Sequence, residues 1–162
     1  MPAVSNTGPL IALAKVDRLP LLEHLFGAVH IPPAVHRELL AKPGPEADRL
    51  DQALDTFIQV SERPTLAPAI EAATVGLDRG EQEAVALAYL RGELLLIDDR
   101  LGRRAARELG VSLSGTAGVL IRAVEKLLAP DAIAVLEQMR SAGYWLSDDL
   151  LAQVRRSIEE KK

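Results

Sequence analysis

The stretch Leu94-Leu95-Leu96-Ile97-Asp98-Asp99 carries the clearest fold signal in the chain. Its first four residues are an uninterrupted apolar run, which predicts a strand covered on both faces, as in the centre of a parallel sheet. The two aspartates follow where that strand would end. Because parallel strands bring their carboxyl ends to one edge of a sheet, the stretch also predicts where a functional crevice would lie.

The segments on both sides of this strand alternate between strand and helix patterns. The short apolar segments that predict further strands are residues 3–5, 28–31, 57–60 and 111–115. The segments that predict helices are residues 10–26, 32–40, 46–56, 81–90, 100–109 and 116–162, with breaks expected near residues 17–20, at Pro130 and at Gly143. This alternation predicts an α/β fold with a central parallel sheet of about five strands.

Length and composition restrict the class of protein. The chain has 162 residues, enough for one domain with a proper core. We expect residues 1–162 to form one domain, with the helical part 116–162 packed on the sheet. The absence of cysteine excludes a disulfide scaffold, a thiolate metal site and a cysteine nucleophile. Aromatic residues make up only 3% of the chain, which argues against the base-stacking platforms of many RNA-binding domains.

The charge balance argues against a broad surface for nucleic acid. The 19 Lys and Arg residues are outnumbered by 23 Asp and Glu residues, which gives a net charge of −4. Arg103, Arg104 and Arg107 share one face of a predicted helix, and this face is either solvated or in contact with an RNA backbone. The sequence shows neither a membrane-spanning stretch nor a signal-peptide pattern, so we expect a cytoplasmic protein without membrane contact.

Polar residues concentrate at the predicted strand ends and on neighbouring helices. Asn6 follows the first strand, Asp98 and Asp99 follow the fourth, and Glu38 and Glu81 lie on adjoining helices. The chain has no glycine-rich phosphate-binding loop and no serine-hydrolase elbow. Several oxygen ligands with few histidines are typical of Mg²⁺ or Mn²⁺ sites, and such cations promote phosphodiester hydrolysis in nucleases.

Each of these residues also has a purely structural interpretation. Asn6 could cap the first helix, and Asp99 could cap the helix that begins at residue 100. Glu81 lies three residues after Asp78, which is the spacing of a capping box. Glu38 could be a solvated carboxylate on a helix flank. Taken one at a time, these positions therefore do not require a metal.

Five segments together resemble the PIN domain family. They are AVSNTGPLIAL (3–13), IPPAVHREL (31–39), LDRGEQEAVALA (77–88), LLIDDR (95–100) and GTAGVL (115–120), in the family's order and spacing. More narrowly, the chain is similar to a prokaryotic, toxin-like PIN subfamily of unassigned function that often sits beside small antitoxin-like proteins. The resemblance spans about residues 3–155 and implies a three-layer α/β/α fold.

The resemblance implies a metal-dependent ribonuclease of the toxin type. The family's four acidic positions fall on Asn6, Glu38, Glu81 and Asp99, where Mg²⁺ or Mn²⁺ would be held, and Asp98 is an additional acid beside them. The family usually has aspartate where this chain has Asn6, so one charge is missing. On this interpretation we expect Thr7 and Thr116 to orient the water or the phosphate, and Arg100, Arg103 and Arg104 to contact the substrate. The implied partners are RNA, a small antitoxin protein and a second copy of the chain.

Two other functions stay open on the sequence. A catalytically weak PIN-like module that binds RNA or protein is favoured by the amide of Asn6. A phosphatase-like or receiver-like domain would need an isolated nucleophilic aspartate and a lysine at a strand end, and neither is well placed. A C-terminal apolar stripe is interpreted as core or homodimer packing rather than as a base-stacking site: Trp145, Leu146, Leu150, Leu151 and Val154.

Overall fold

The computed structural model describes residues 1–41, 43–126, 128–129 and 131–160. The strands in these residues are β1 (Ala3–Ser5), β2 (Val29–Ile31), β3 (Ile58–Val60), β4 (Leu94–Leu96) and β5 (Leu113–Ser114). The helices are α1 (Thr7–Lys15), α2 (Pro20–Phe26), α3 (Pro33–Leu40), α4 (Pro45–Leu54), α5 (Pro68–Ala73), α6 (Arg79–Arg91), α7 (Arg100–Glu108), α8 (Thr116–Glu125), α9 (Ala132–Ser141) and α10 (Asp148–Glu160). Within the described ranges, no helix combines the length and the apolarity needed to cross a membrane.

All five strands form one parallel sheet with the order β3-β2-β1-β4-β5. Val4 of β1 pairs with His30 on one side and with Leu95 on the other. The chain builds outward from β1 through β2 to β3, and then crosses to β4 on the opposite side of β1. The carboxyl ends of β1 and β4 therefore flank the topological switch point, where open α/β sheets bind their ligands. The predicted α/β fold with a five-stranded parallel sheet flanked by helices is confirmed.

The central strands are buried, as the apolar run predicts. Val4, Leu95, Leu96 and Ile97 are inaccessible to solvent, and helix α6 contacts both β1 and β4. At the edge of the sheet, β3 exposes the side chain of Gln59. The apolar centre fixes β1 and β4 side by side, and so fixes the residues that follow them.

Helices α3 and α6 pack against each other, and each carries one candidate acid. In α3, Val35 and Leu39 are buried while Glu38 lies on the exposed side. Helix α6 ends at Arg91, and the next residue, Gly92, stops it with a φ of +64°, a left-handed conformation that glycine adopts readily. The α3–α6 pair therefore sets the position of Glu38 relative to the start of α6.

The helix boundaries agree only in part with the sequence pattern. The predicted break near residues 17–20 is confirmed, since α1 ends at Lys15 and α2 begins at Pro20. Gly143, with φ +99°, breaks the C-terminal helical part as predicted, whereas the predicted break at Pro130 lies outside the described residues. The pattern does not predict α5, because six residues are too few to show a helical period.

Candidate active site

One cleft of about 990 Å³ opens beyond the carboxyl ends of β1, β4 and β5. All five predicted oxygen ligands line it: Asn6, Glu38, Glu81, Asp98 and Asp99. The walls come from the start of α1, from α3, from the starts of α6, α7 and α8, and from the segment after α9. The structure thus brings together residues that are more than 90 positions apart in the sequence.

Asn6 is buried at the end of β1, with 7% of its surface exposed. Its backbone N–H donates to the carbonyl oxygen of Leu96 at 2.9 Å, which holds it beside β4. Asn6 occupies the N-cap position of α1, but its side chain makes no capping hydrogen bond. The capping interpretation is therefore wrong. Within the part of the chain that the structure describes, the amide has no hydrogen-bond partner and lines the cleft.

Glu38 reaches the cleft from α3, where two neighbours fix its carboxylate. Thr7 Oγ1 donates to Glu38 Oε2 at 2.6 Å. The other carboxylate oxygen lies so close to Gly80 of α6 that a side chain at that position would collide with it. Thr7, which the sequence analysis places among the substrate contacts, therefore also orients Glu38. Glycine at position 80 permits the close approach of α3 to α6.

Glu81 is part of a capping box at the start of α6. Its backbone N–H donates to Asp78 Oδ1 at 2.8 Å, and its Oε2 accepts from the backbone N–H of Asp78 at 3.2 Å. Burial raises the pKa of Glu81 from an ordinary 4.5 to about 7; the hydrogen bond from the Asp78 backbone lowers it, and the charges of Asp78 and Asp99 raise it. The structural interpretation holds, and the same carboxylate also lies in a crowded acidic field.

The two aspartates after β4 are held differently. Asp99 caps α7, with its Oδ2 accepting from the backbone N–H of Gly102 at 2.7 Å. Asp98 accepts three hydrogen bonds: from the backbone N–H of Thr116 at 2.8 Å, from Thr116 Oγ1 at 2.6 Å and from Tyr144 Oη at 2.5 Å. Asp98 thus joins the end of β4 to the start of α8 and to the segment after α9. Thr116 donates two of these hydrogen bonds and so orients the Asp98 carboxylate.

The sequence gives no local signal for the contact between Tyr144 and Asp98, which joins residues 46 positions apart. Burial raises the pKa of Tyr144, and the charge of Asp98 raises it further, so the hydroxyl stays protonated and donates. Asp78 was likewise recognisable only as a cap, yet its side chain lines the cleft.

The predicted basic residues divide into two groups. Arg100 and Arg103 line the cleft. Arg103 Nη1 donates to the carbonyl oxygen of Ile97 at 2.8 Å, and burial lowers the pKa of Arg103, with the charge of Arg107 lowering it further and that of Asp98 raising it. Arg104 is exposed, pairs with Glu108 on its own helix at 3.6 Å and does not line the cleft. The structure therefore places only Arg100 and Arg103 beside the acids.

The cleft presents carboxylate and amide oxygens and no sulfur or imidazole, which is the donor set that Mg²⁺ and Mn²⁺ prefer. Burial is the main cause of the raised pKa of Glu81, and the charges of Asp78 and Asp99 add to it; a divalent cation would offset those charges. The donor chemistry fits such a cation. In the described part of the chain, however, no three acidic or histidine side chains lie close enough together to form a ready-made metal cluster.

Comparison with known families decides the assignment. A family model described as a PIN domain, DUF3368, matches residues 2–160. The chain belongs to the PIN domain family. PIN domains are a family of nucleases and usually bind Mg²⁺. No curated protein matches this PIN domain.

Proposed function

We propose that this PIN domain is a metal-dependent ribonuclease of the toxin type, which hydrolyses RNA phosphodiesters. The observation that carries the proposal is the amide of Asn6, which faces the same cleft as Glu38, Glu81 and Asp99 and has no hydrogen-bond partner among the described residues. Among the described residues no fully buried side-chain N or O atom lacks a partner, so the Asn6 amide is open to the cleft, where a ligand or water can reach it. Because carboxylates line the same cleft as the Asn6 amide, a cation that prefers oxygen ligands is the ligand that we expect there.

In this proposal, Asn6, Glu38, Glu81 and Asp99 hold Mg²⁺ or Mn²⁺, with Asp98 behind them. When bound, the cation supplies Lewis-acid chemistry, lowering the pKa of water and neutralising charge on phosphate oxygens. Thr7 orients Glu38 through its 2.6 Å hydrogen bond. Glu81 holds a proton up to about pH 7 without metal, so cation binding competes with that proton. Arg100 and Arg103 line the cleft and, in this proposal, bind phosphates of the substrate.

The test is a cleavage assay on structured and unstructured RNA with Mg²⁺ and with Mn²⁺. The variant is Asp99→Asn, because asparagine can still cap α7 and only the charge is lost. Asp131→Asn is the matched control, since Asp131 caps α9 outside the cleft. We expect cleavage by the wild type and by Asp131→Asn, and a loss of about 100-fold or more in Asp99→Asn. Wild-type protein that cleaves neither RNA, or Asp99→Asn that cleaves at the wild-type rate, would refute the ribonuclease.

A second candidate is a catalytically weak module that binds RNA or protein. The favouring observations are the neutral Asn6 at an acidic position and the three hydrogen bonds that occupy Asp98. Calorimetric titration with Mn²⁺ separates the two functions. A nuclease binds the cation and loses affinity in Asp99→Asn, whereas a binding module has no need of it.

We propose that residues 1–162 act as one domain in the cytoplasm, as a homodimer, under the control of a small antitoxin protein. The resemblance to toxin-like PIN domains supports these statements. The antitoxin is tested by a growth assay, in which the chain is expressed alone or together with a small protein encoded by a neighbouring gene. We expect the chain alone to arrest growth and the small protein to relieve the arrest.

A further inference from the structure

Trp145 is the only tryptophan of the chain, and 82% of its surface is exposed. It lines the same cleft as the acids, between Tyr144 and Leu146. Of the two predicted roles of the C-terminal stripe, core or homodimer packing, the core role is wrong for Trp145, whereas Leu146, Leu151 and Val154 are buried. A large aromatic ring left in solvent at the rim of a polar cleft is typical of a binding surface.

The neighbours of Trp145 hold it at the rim. The hydroxyl of Tyr144 donates to Asp98 Oδ2 at 2.5 Å and lies next to Gly8 at the start of α1. The backbone N–H of Tyr144 donates to the carbonyl oxygen of Met139 at 3.0 Å. On the other side, Leu146 is 8% exposed and packs in the core. With both neighbours anchored inward, the indole between them is presented outward, in the cleft that the aspartates after β4 also line.

The charged residues of the cleft indicate the class of ligand. Arg100 and Arg103 line the cleft together with Trp145 and with the acids Glu38, Glu81, Asp98 and Asp99. An arginine binds a phosphate oxygen, and an exposed indole stacks on a nucleobase whatever its sequence. A single strand offers both groups at once, whereas the bases of a duplex are already stacked on each other.

We infer that Trp145 stacks on one base of a single-stranded RNA whose backbone lies in the acidic cleft. The inference rests on the proposed ribonuclease, because it names the form of that enzyme's substrate. A single stacking ring differs from the multi-aromatic stacking platforms on a sheet, which a chain with 3% aromatic residues could not build. Here one ring, held by two anchored neighbours, captures one base beside the acids.

The single tryptophan makes the contact directly measurable. Wild-type protein in EDTA, which prevents cleavage, is titrated with an eight-nucleotide oligouridine and with an abasic strand of the same length, while indole fluorescence is followed. We expect saturable quenching by the oligouridine and none by the abasic strand. Binding of a fluorescently labelled oligouridine should weaken about 5- to 100-fold in Trp145→Ala and less in Trp145→Phe. The control is Tyr89→Ala, since Tyr89 is an exposed aromatic outside the cleft, and it should bind like the wild type.

Equal affinity of Trp145→Ala and wild type for the oligouridine, or equal quenching by the abasic strand, would overturn the inference. Light scattering without RNA tests a protein partner: a dimer that becomes a monomer in Trp145→Ala assigns the ring to a dimer interface and also overturns it. The binding assay is independent of turnover. Base-dependent quenching without cleavage in Mg²⁺ or Mn²⁺ supports the stacking of Trp145 and refutes the ribonuclease. Cleavage without quenching supports the ribonuclease and refutes the stacking.

Discussion

At the scale of single residues, Asn6 is the position where replacing the side-chain amide nitrogen by an oxygen changes the charge of the cleft. Asn6→Asp adds a charge next to the proposed cation, and a net gain of about 1.4 kcal/mol would tighten binding of Mn²⁺ about tenfold. Without metal, the added carboxylate is repelled by Glu81 and Asp99, so the variant should unfold at lower urea concentration at pH 7. Calorimetric titration with Mn²⁺ and urea unfolding in EDTA measure the two effects.

The control for Asn6→Asp is Gln138→Glu, which adds the same charge on the exposed side of α9, outside the cleft. It should change neither the affinity for Mn²⁺ nor the unfolding midpoint. If Asn6→Asp also leaves the affinity for Mn²⁺ unchanged, Asn6 is not beside a metal.

Glu81 makes stability depend on pH in a direction that its environment fixes. Its folded-state pKa of about 7 lies above the ordinary 4.5, so the folded protein keeps a proton that the unfolded chain releases. The stabilising contribution is complete below about pH 4.5 and is lost as pH rises to about 7. Urea midpoints in EDTA should therefore fall over this range more steeply in the wild type than in Glu81→Gln, which retains a capping-box side chain.

Glu23→Gln is the control for this pH series, since Glu23 is an exposed carboxylate on α2 outside the cleft. It should follow the wild-type curve. Parallel curves for wild type and Glu81→Gln would show that Glu81 ionises normally. Saturating Mn²⁺ favours the ionised carboxylate, so the fall with pH should diminish when the cation is present.

At the scale of elements, Glu83 joins the two helices that carry Glu38 and Glu81. It is 3% exposed, and its Oε1 accepts from the backbone N–H of Ala34, in the first turn of α3, at 3.0 Å. Arg63 Nε lies 3.7 Å from its other oxygen. Glu83→Leu leaves that N–H without a partner and should lower the free energy of unfolding by about 1–3 kcal/mol.

Glu83→Gln is the matched variant, because its amide oxygen can still accept from Ala34. It should cost clearly less than Glu83→Leu in urea unfolding. Because α3 carries Glu38 one turn further on, Glu83→Leu should also weaken binding of Mn²⁺. Equal stability of the two variants would show that the hydrogen bond to α3 is unimportant.

The elements also show how far the sequence predicts the cleft. Asn6 and Asp99 could be located because each follows an apolar strand, and strand ends are readable from a local pattern. The hydrogen bond from Thr7 to Glu38 is not predictable from a local pattern, because the two residues lie 31 positions apart. The contact of Tyr144 with Asp98 and the raised pKa of Glu81 depend on packing between distant elements, which no local spacing encodes.

At the scale of the whole molecule, the structure changes the argument for a homodimer. The C-terminal stripe can no longer supply a continuous apolar surface, since Leu146 and Leu151 are buried and Tyr144 is bonded to Asp98. Only Trp145 is fully exposed there, at the rim of the cleft. Large apolar side chains are also exposed on other elements: Leu40, Leu90 and Leu101. A dimer built on those elements would not need Trp145.

We therefore predict that the chain is a homodimer at micromolar concentration and that Trp145→Ala does not alter this. Light scattering should give about twice 17.5 kDa for both proteins. A mass of 17.5 kDa throughout the micromolar range of protein concentration would contradict the dimer. A dimer for the wild type with a monomer for Trp145→Ala would place the indole between two protomers, and the cleft would then be closed by a second copy. The same two proteins thus decide whether the exposed ring serves assembly or substrate.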